Sequence, residues 1–159
     1  MIKFMLMTTI NPYLTFNGNC EMAFNFYKSV FGGEFTFAGK FKDMPENPEY
    51  PVAEEDKEKI MHIALPISNE TMLMGSDSSK AFGQATIEGN NFSISVNTDS
   101  VEEVTRIYNE LSAGGTVKMP LNKTFWGAYF GMFTDKFGIP WMVNHELEEH
   151  KDFEKNNTK

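Results

Sequence analysis

The chain of 159 residues has one cysteine, Cys20, so it can form no intramolecular disulfide. It also has no apolar run long enough to cross a bilayer, and the N-terminal MIKFMLM is too short for a signal-peptide core. Positive charge is scarce: 14 Lys and Arg stand against 22 Asp and Glu, for a net charge of -8. Such a surface repels a phosphate backbone, and no basic cluster offsets it, which disfavours nucleic acid as a partner. No Gly-rich loop joins a strand to a helix to hold a nucleoside cofactor, and no serine has the strand-to-helix setting of a hydrolase nucleophile. These absences lead us to expect a soluble, cytoplasmic protein with no membrane partner and no bound cofactor.

What the sequence does contain is regularly punctuated. With 41% hydrophobic and 23% charged residues it has material for one or two compact units. PYLTFN (12–17) alternates and ends in the turn NGN, after which Ala23, Phe26, Tyr27, Val30 and Phe31 recur with helical period up to Gly32 and Gly33. Strands are expected at 34–42, 59–67 and 71–76. Between the first two lies DMPENPEYPVAEEDKE (43–58), with three prolines and seven acids, which reads as a loop with no core of its own and as a candidate lid.

The second half repeats this order. NFSISVN (91–97) alternates, and 99–115 carries Val101, Val104, Ile107, Tyr108 and Leu111 at helical spacing. Ser100 with Glu103 forms a capping-box pattern, and Gly114–Gly115 end the segment as Gly32–Gly33 ended the first. Strands are expected at 116–125, 128–134 and 139–144. The two helix tyrosines and the two glycine pairs lie about 80 residues apart, the mark of a duplicated unit. The expected class is therefore α+β, with two repeated βαβββ modules at 10–77 and 91–146. Residues 1–9 form an extension, 78–90 a linker and 147–159 a charged tail.

A doubled βαβββ unit resembles the vicinal-oxygen-chelate superfamily, which includes glyoxalase I, bleomycin-resistance proteins and extradiol dioxygenases. Residues 12–35 (PYLTFNGNCEMAFNFYKSVFGGEF) and 114–144 (GGTVKMPLNKTFWGAYFGMFTDKFGIPWMVN) are similar to its PhnB-type branch. The resemblance implies curved sheets, each with one face covered by a helix and the other facing a ligand cleft. Alternation then assigns Leu14, Phe16, Phe92, Ile94 and Val96 to the core, and Asn11, Tyr13, Thr15, Asn91, Ser93 and Ser95 to the cavity. In metal-dependent relatives the ligands are His or Glu near the start of the first strand and on the last strand of each module. Here those places fall on Asn11, Met72 or Met74, Asn91 and Met142, none of them a carboxylate or imidazole, so no metal is expected.

The remaining candidates are individually weak. HELEEH (145–150) misses both HExxH and HxxEH by one position. His145 and Glu149 share a helix face at i, i+4, but in a charged tail a solvated segment is the expectation. His62, the only histidine outside that tail, is a candidate general base whose face alternation does not fix. Cys20 stands at a helix N-terminus, where the dipole favours a thiolate, and equally fits as a small buried residue. Trp126 and Tyr129 are candidate stacking rings, and Met72, Met74 and Met142 suit an adaptable apolar pocket. Two function classes remain: a metal-free binder of a small organic ligand, and a metal-dependent lyase, isomerase or dioxygenase. A homodimer is expected, with Trp126 and the acidic loop near the junction of the two subunits' clefts.

Overall fold

Leu14 and Phe16 are buried while Tyr13 and Thr15 are exposed, so the alternation of PYLTFN is realised as strand β1 (Tyr13–Phe16). The computed structural model describes residues 8–83 and 85–147. The extension up to residue 7 and the tail beyond 147, with Glu149, lie outside the described residues. The chain divides between Ile87 and Glu88 into two compact units, within the stretch 78–90 expected as a linker.

In the first unit β1 is followed by α1 (Cys20–Phe31), β2 (Phe37–Lys40), β3 (Ile60–Pro66) and β4 (Met72–Asp77). The second unit has the same succession: β5 (Ile94–Asn97), α2 (Val101–Leu111), β6 (Thr116–Lys123), β7 (Ala128–Thr134) and β8 (Pro140–Glu146). Each unit forms one four-stranded sheet, in the orders β1-β4-β3-β2 and β5-β8-β7-β6. The sheets are mixed: β1 and β4 are parallel, as are β5 and β8, and all other pairs are antiparallel. The helix carries the chain to the far edge of the sheet in the starting direction. Two reversals then return the last strand to that direction beside the first.

Several elements are shorter than expected. β5 starts at Ile94, so Phe92, expected in the core, is 46% exposed, and Asn91 and Ser93 precede the strand. α2 ends at Leu111 rather than near 115, with Ser112 at its C-cap. Helix α1 buries Cys20, Ala23, Phe24, Tyr27 and Val30 against β3 and β4. Phe24 is buried, whereas Phe26 and Phe31 of the expected stripe are only half-buried.

The two helices begin by different means. Ser100 accepts a hydrogen bond from Glu103 N–H at 3.1 Å, but the Glu103 carboxylate is bound to Arg106, so the expected reciprocal box is half formed. Arg106 holds that carboxyl below its usual range. Asn19 gives α1 no side-chain cap. The buried Asp77 does so from the end of β4, accepting from Gly18 N–H (2.9 Å) and Cys20 N–H (3.0 Å) through Oδ1 and from Ile60 N–H (2.9 Å) through Oδ2.

The acidic loop is anchored rather than free. Its Asp56 is buried and accepts from Lys59 Nζ (2.8 Å), Ser79 Oγ (3.0 Å) and Lys80 N–H (3.3 Å). Lys59 and these donors hold its carboxyl below the usual range. That contribution to stability is present above the ordinary aspartate range and is lost as pH falls through the depressed value.

Candidate functional site

The candidate site is built on the face of the first sheet that α1 leaves open. Partner residues across the strands share a face, so Tyr13, Met74, Ala64 and Phe37 form one row from β1 to β2. Thr15, Ser76, His62 and Gly39 follow the same parity in the next row, and Met72 and Pro66 in the row on the other side. Met72 and Met74 thus share the face, with Leu73 between them buried toward the helix.

A bulge decides where His62 lies. Gly39 pairs with His62 but Lys40 pairs with Ile60, leaving Met61 as the extra residue of β3. The insertion lets both Ile60 and Ile63 be buried while His62 stands on the open side. Its Nδ1 lies 3.0 Å from the Tyr13 hydroxyl, and the two rings stack at 5.6 Å and 19°. The Phe37 ring lies 5.6 Å away on the other flank. Gly39 makes room for this ring: a Cβ there would come within 2.9 Å of Phe37 Cε1. A cavity of about 340 Å³ adjoins the face, lined by Thr15, Ser76, Met61, Met44 and Phe82 among others.

Asn11 has a different task. Its Oδ1 accepts from Met72 N–H at 2.9 Å and its Nδ2 donates to Thr9 Oγ1 at 3.3 Å, so the side chain ties the approach to β1 onto β4. Asn91 and Ser93 are exposed outside the second sheet.

On the open face of the second sheet Ser95, Met142, Met132 and Met119 form one row. Asn97, Asn144, Phe130 and Asn122 form the next, with Asn144 Nδ2 donating to Asn97 Oδ1 at 3.2 Å. Trp126, in the turn between β6 and β7, meets Phe130 edge-on at 6.0 Å. Tyr129 is placed on the other face, with the parity of the buried Phe133 and opposite His145. His145 Nδ1 lies 2.9 Å from the Thr98 carbonyl.

The first sheet therefore brings together Tyr13, Thr15, His62, Met72 and Met74, and the second brings Ser95 and Met142 into one row. Sequence reasoning passed over Phe37, Met61, Ser76 and Phe130. Period-two counting back from Met132 finds Phe130, whereas Met61 depends on the bulge and Phe37 on the pairing of β2 with β3. Cys20 is fully buried, and burial first, then the charges of Asp77 and Glu21, push its thiol well above the usual range, which disfavours the thiolate. Among the described residues, no three His, Cys, Asp or Glu side chains come together as a metal site.

Residues 9–143 match the family model described as Glyoxalase/Bleomycin resistance protein/Dioxygenase superfamily. The chain is 33% identical over 146 residues to protein YjdN of Escherichia coli K12, covering 85% of this chain and 93% of that one. The crystal structure of protein PA1353 from Pseudomonas aeruginosa matches at 46% identity and a TM-score of 0.75, covering 89% of this chain and 99% of the other. A Bacillus cereus structure titled as a putative 3-demethylubiquinone-9 3-methyltransferase, PhnB protein, shares the fold at 24% identity and a TM-score of 0.66, with 87% and 99% covered.

Proposed function

We propose a metal-free ligand-binding role for this chain, which belongs to the Glyoxalase/Bleomycin resistance protein/Dioxygenase superfamily. The ligand is a small, planar organic molecule held on the open face of the first sheet. The observation that carries the reading is the cluster of Tyr13, His62 and Phe37: two exposed rings flank an imidazole whose Nδ1 is engaged by a phenol. Such a cluster offers aromatic faces for stacking and a hydrogen-bonding group beside them. Met72 and Met74 add thioethers that adapt to the shape of an apolar guest.

The positions that the family resemblance assigns to a metal do not fit one. Asn11 has committed its carbonyl oxygen to a backbone amide, and Asn91, Met72, Met74 and Met142 offer neutral amides and thioethers. Divalent ions of the zinc, nickel, manganese or iron type need anionic or imidazole donors. This is what favours the binder over a metal-dependent lyase, isomerase or dioxygenase. The methyltransferase activity in the Bacillus cereus title gains no support here, because each sheet has a single parallel pair and no Gly-rich strand-to-helix loop. Among the described residues no helix is long and apolar enough to cross a membrane, and a cytoplasmic location is part of the proposal.

Titration of chelator-treated protein with quinoline and 1-naphthol tests the binding. The expected result is saturable binding of at least one probe, weakened at least about fivefold by His62→Ala, the loss of one stacking and hydrogen-bonding partner. Binding that appears only when zinc, nickel, manganese or iron is added, or that ignores His62→Ala, contradicts it.

We further propose a homodimer. Edge strand β6 exposes Val117 and Met119, and the turn beyond it carries Phe125, 97% exposed, and Trp126. Light scattering should give about twice the 18.1 kDa of one chain; a mass that stays at 18.1 kDa on concentration rejects the dimer.

A further inference from the structure

A second cavity, of about 440 Å³, lies beneath the acidic loop; it shares Phe41, Met44 and Phe82 with the cavity beside the sheet face but includes none of Tyr13, Phe37, His62, Met72 or Met74. Its aromatic wall is a stack: the Phe82 ring lies 5.6 Å from Tyr50 at 16° and 5.9 Å from Phe41 at 19°. Phe41 is buried, but Tyr50 and Phe82 are 48% and 51% exposed, so ring surface remains available to a guest. The loop that forms the rim, 43–58, carries seven acids and one lysine.

The two lysines that line the cavity are already neutralised. Lys42 pairs with Glu58 at 2.6 Å and Lys57 with Glu54 at 2.6 Å. Glu46, also in the lining, forms no direct ion pair among the described residues and acts on Lys57 only through space, which leaves its carboxylate without a contact partner beside the stacked rings. The loop's C-terminal end is tied to the segment that carries Phe82, since Asp56 binds Ser79 and Lys80 N–H, and Glu55 pairs with Lys80 at 2.5 Å. A preformed pocket loses less on binding than one that must be ordered.

We propose that this cavity is a binding site for a small organic cation of the alkylammonium class. The rings supply cation–π attraction, which favours a weakly hydrated ammonium over a neutral group of the same shape. Glu46 and the surrounding loop charge supply the counter-field. The site uses none of Tyr13, Phe37, His62, Met72 or Met74, so it is tested separately from the ligand proposed for the sheet face.

The test uses choline and its neutral isostere 3,3-dimethylbutan-1-ol, titrated into full-length protein with methyl-labelled methionine, reading the Met44 signal from the cavity wall. Choline is expected to shift that signal saturably, and the alcohol to bind at least about fivefold more weakly. Tyr50→Leu and Phe82→Leu should each weaken choline at least about fivefold. Glu46→Gln, which keeps the rings and the fold, should weaken it less and flatten its salt dependence. His62→Ala on the sheet face should leave choline binding unchanged, whatever becomes of quinoline. Equal binding of the alcohol and choline overturns the proposal, as does a Met44 signal that choline does not move or a titration indifferent to Tyr50→Leu.

Discussion

Asp77→Ala is expected to destabilise the protein by roughly 3–5 kcal/mol, because it leaves two buried backbone N–H groups and one part-buried one without their acceptor. Those donors belong to Gly18, Cys20 and Ile60, so one carboxylate joins the entry to α1, the start of β3 and the end of β4. Water cannot replace it where the side chain is only 3% exposed. Asp77→Asn keeps one carbonyl oxygen but turns an amide N–H toward one of the donors, and should cost less, roughly 1–3 kcal/mol. Urea unfolding of the three proteins measures the series. A loss below about 1 kcal/mol for the alanine variant would show that the helix start is satisfied in some other way.

The second large effect is expected at Gly115. A Cβ there would lie 2.1 Å from the Thr134 carbonyl oxygen and 2.9 Å from the Asp135 carbonyl carbon, both backbone atoms that cannot rotate away. Gly115→Ala must displace the turn after β7, at a cost of about 3 kcal/mol or more. Gly114→Ala is the control. Gly114 has φ +77° but meets only the Lys136 side chain, at 3.5 Å, so its cost is the left-handed backbone alone, about 1 kcal/mol. Thermal unfolding should rank Gly115→Ala well below Gly114→Ala; the reverse order would contradict the close approach.

The same residues show why some of the fold was legible and some was not. Alternation in 12–17 identified the faces of β1 because Leu14 and Phe16 meet a helix and nothing interrupts the strand. Ser100 was legible as a cap because cap and donor are three residues apart, whereas Asp77 lies 57 residues from Cys20 and leaves no local pattern. The glycine pairs looked alike yet do different work. Gly32 and Gly33 both have φ near +80°, while Gly115 is a matter of space.

At the candidate site the limit was the bulge at Met61. Period-two reasoning breaks where one strand carries an extra residue, so the face of His62, and its contact with Phe37, followed only from the pairing. Met72 and Met74 needed no choice between them once β4 was seen to run unbroken to Asp77.

The central claim is that the open face of the first sheet binds a small organic molecule without a metal. Its most direct measurement is a quinoline titration followed through the methionine methyl and His62 ring signals, in the presence of a chelator and again after adding zinc, nickel, manganese or iron. The account predicts that Met72, Met74 and His62 shift together with one binding curve, and that the metals leave that curve unchanged. Signals that stay fixed until a metal is supplied, or that move only at residues off this face, would contradict it.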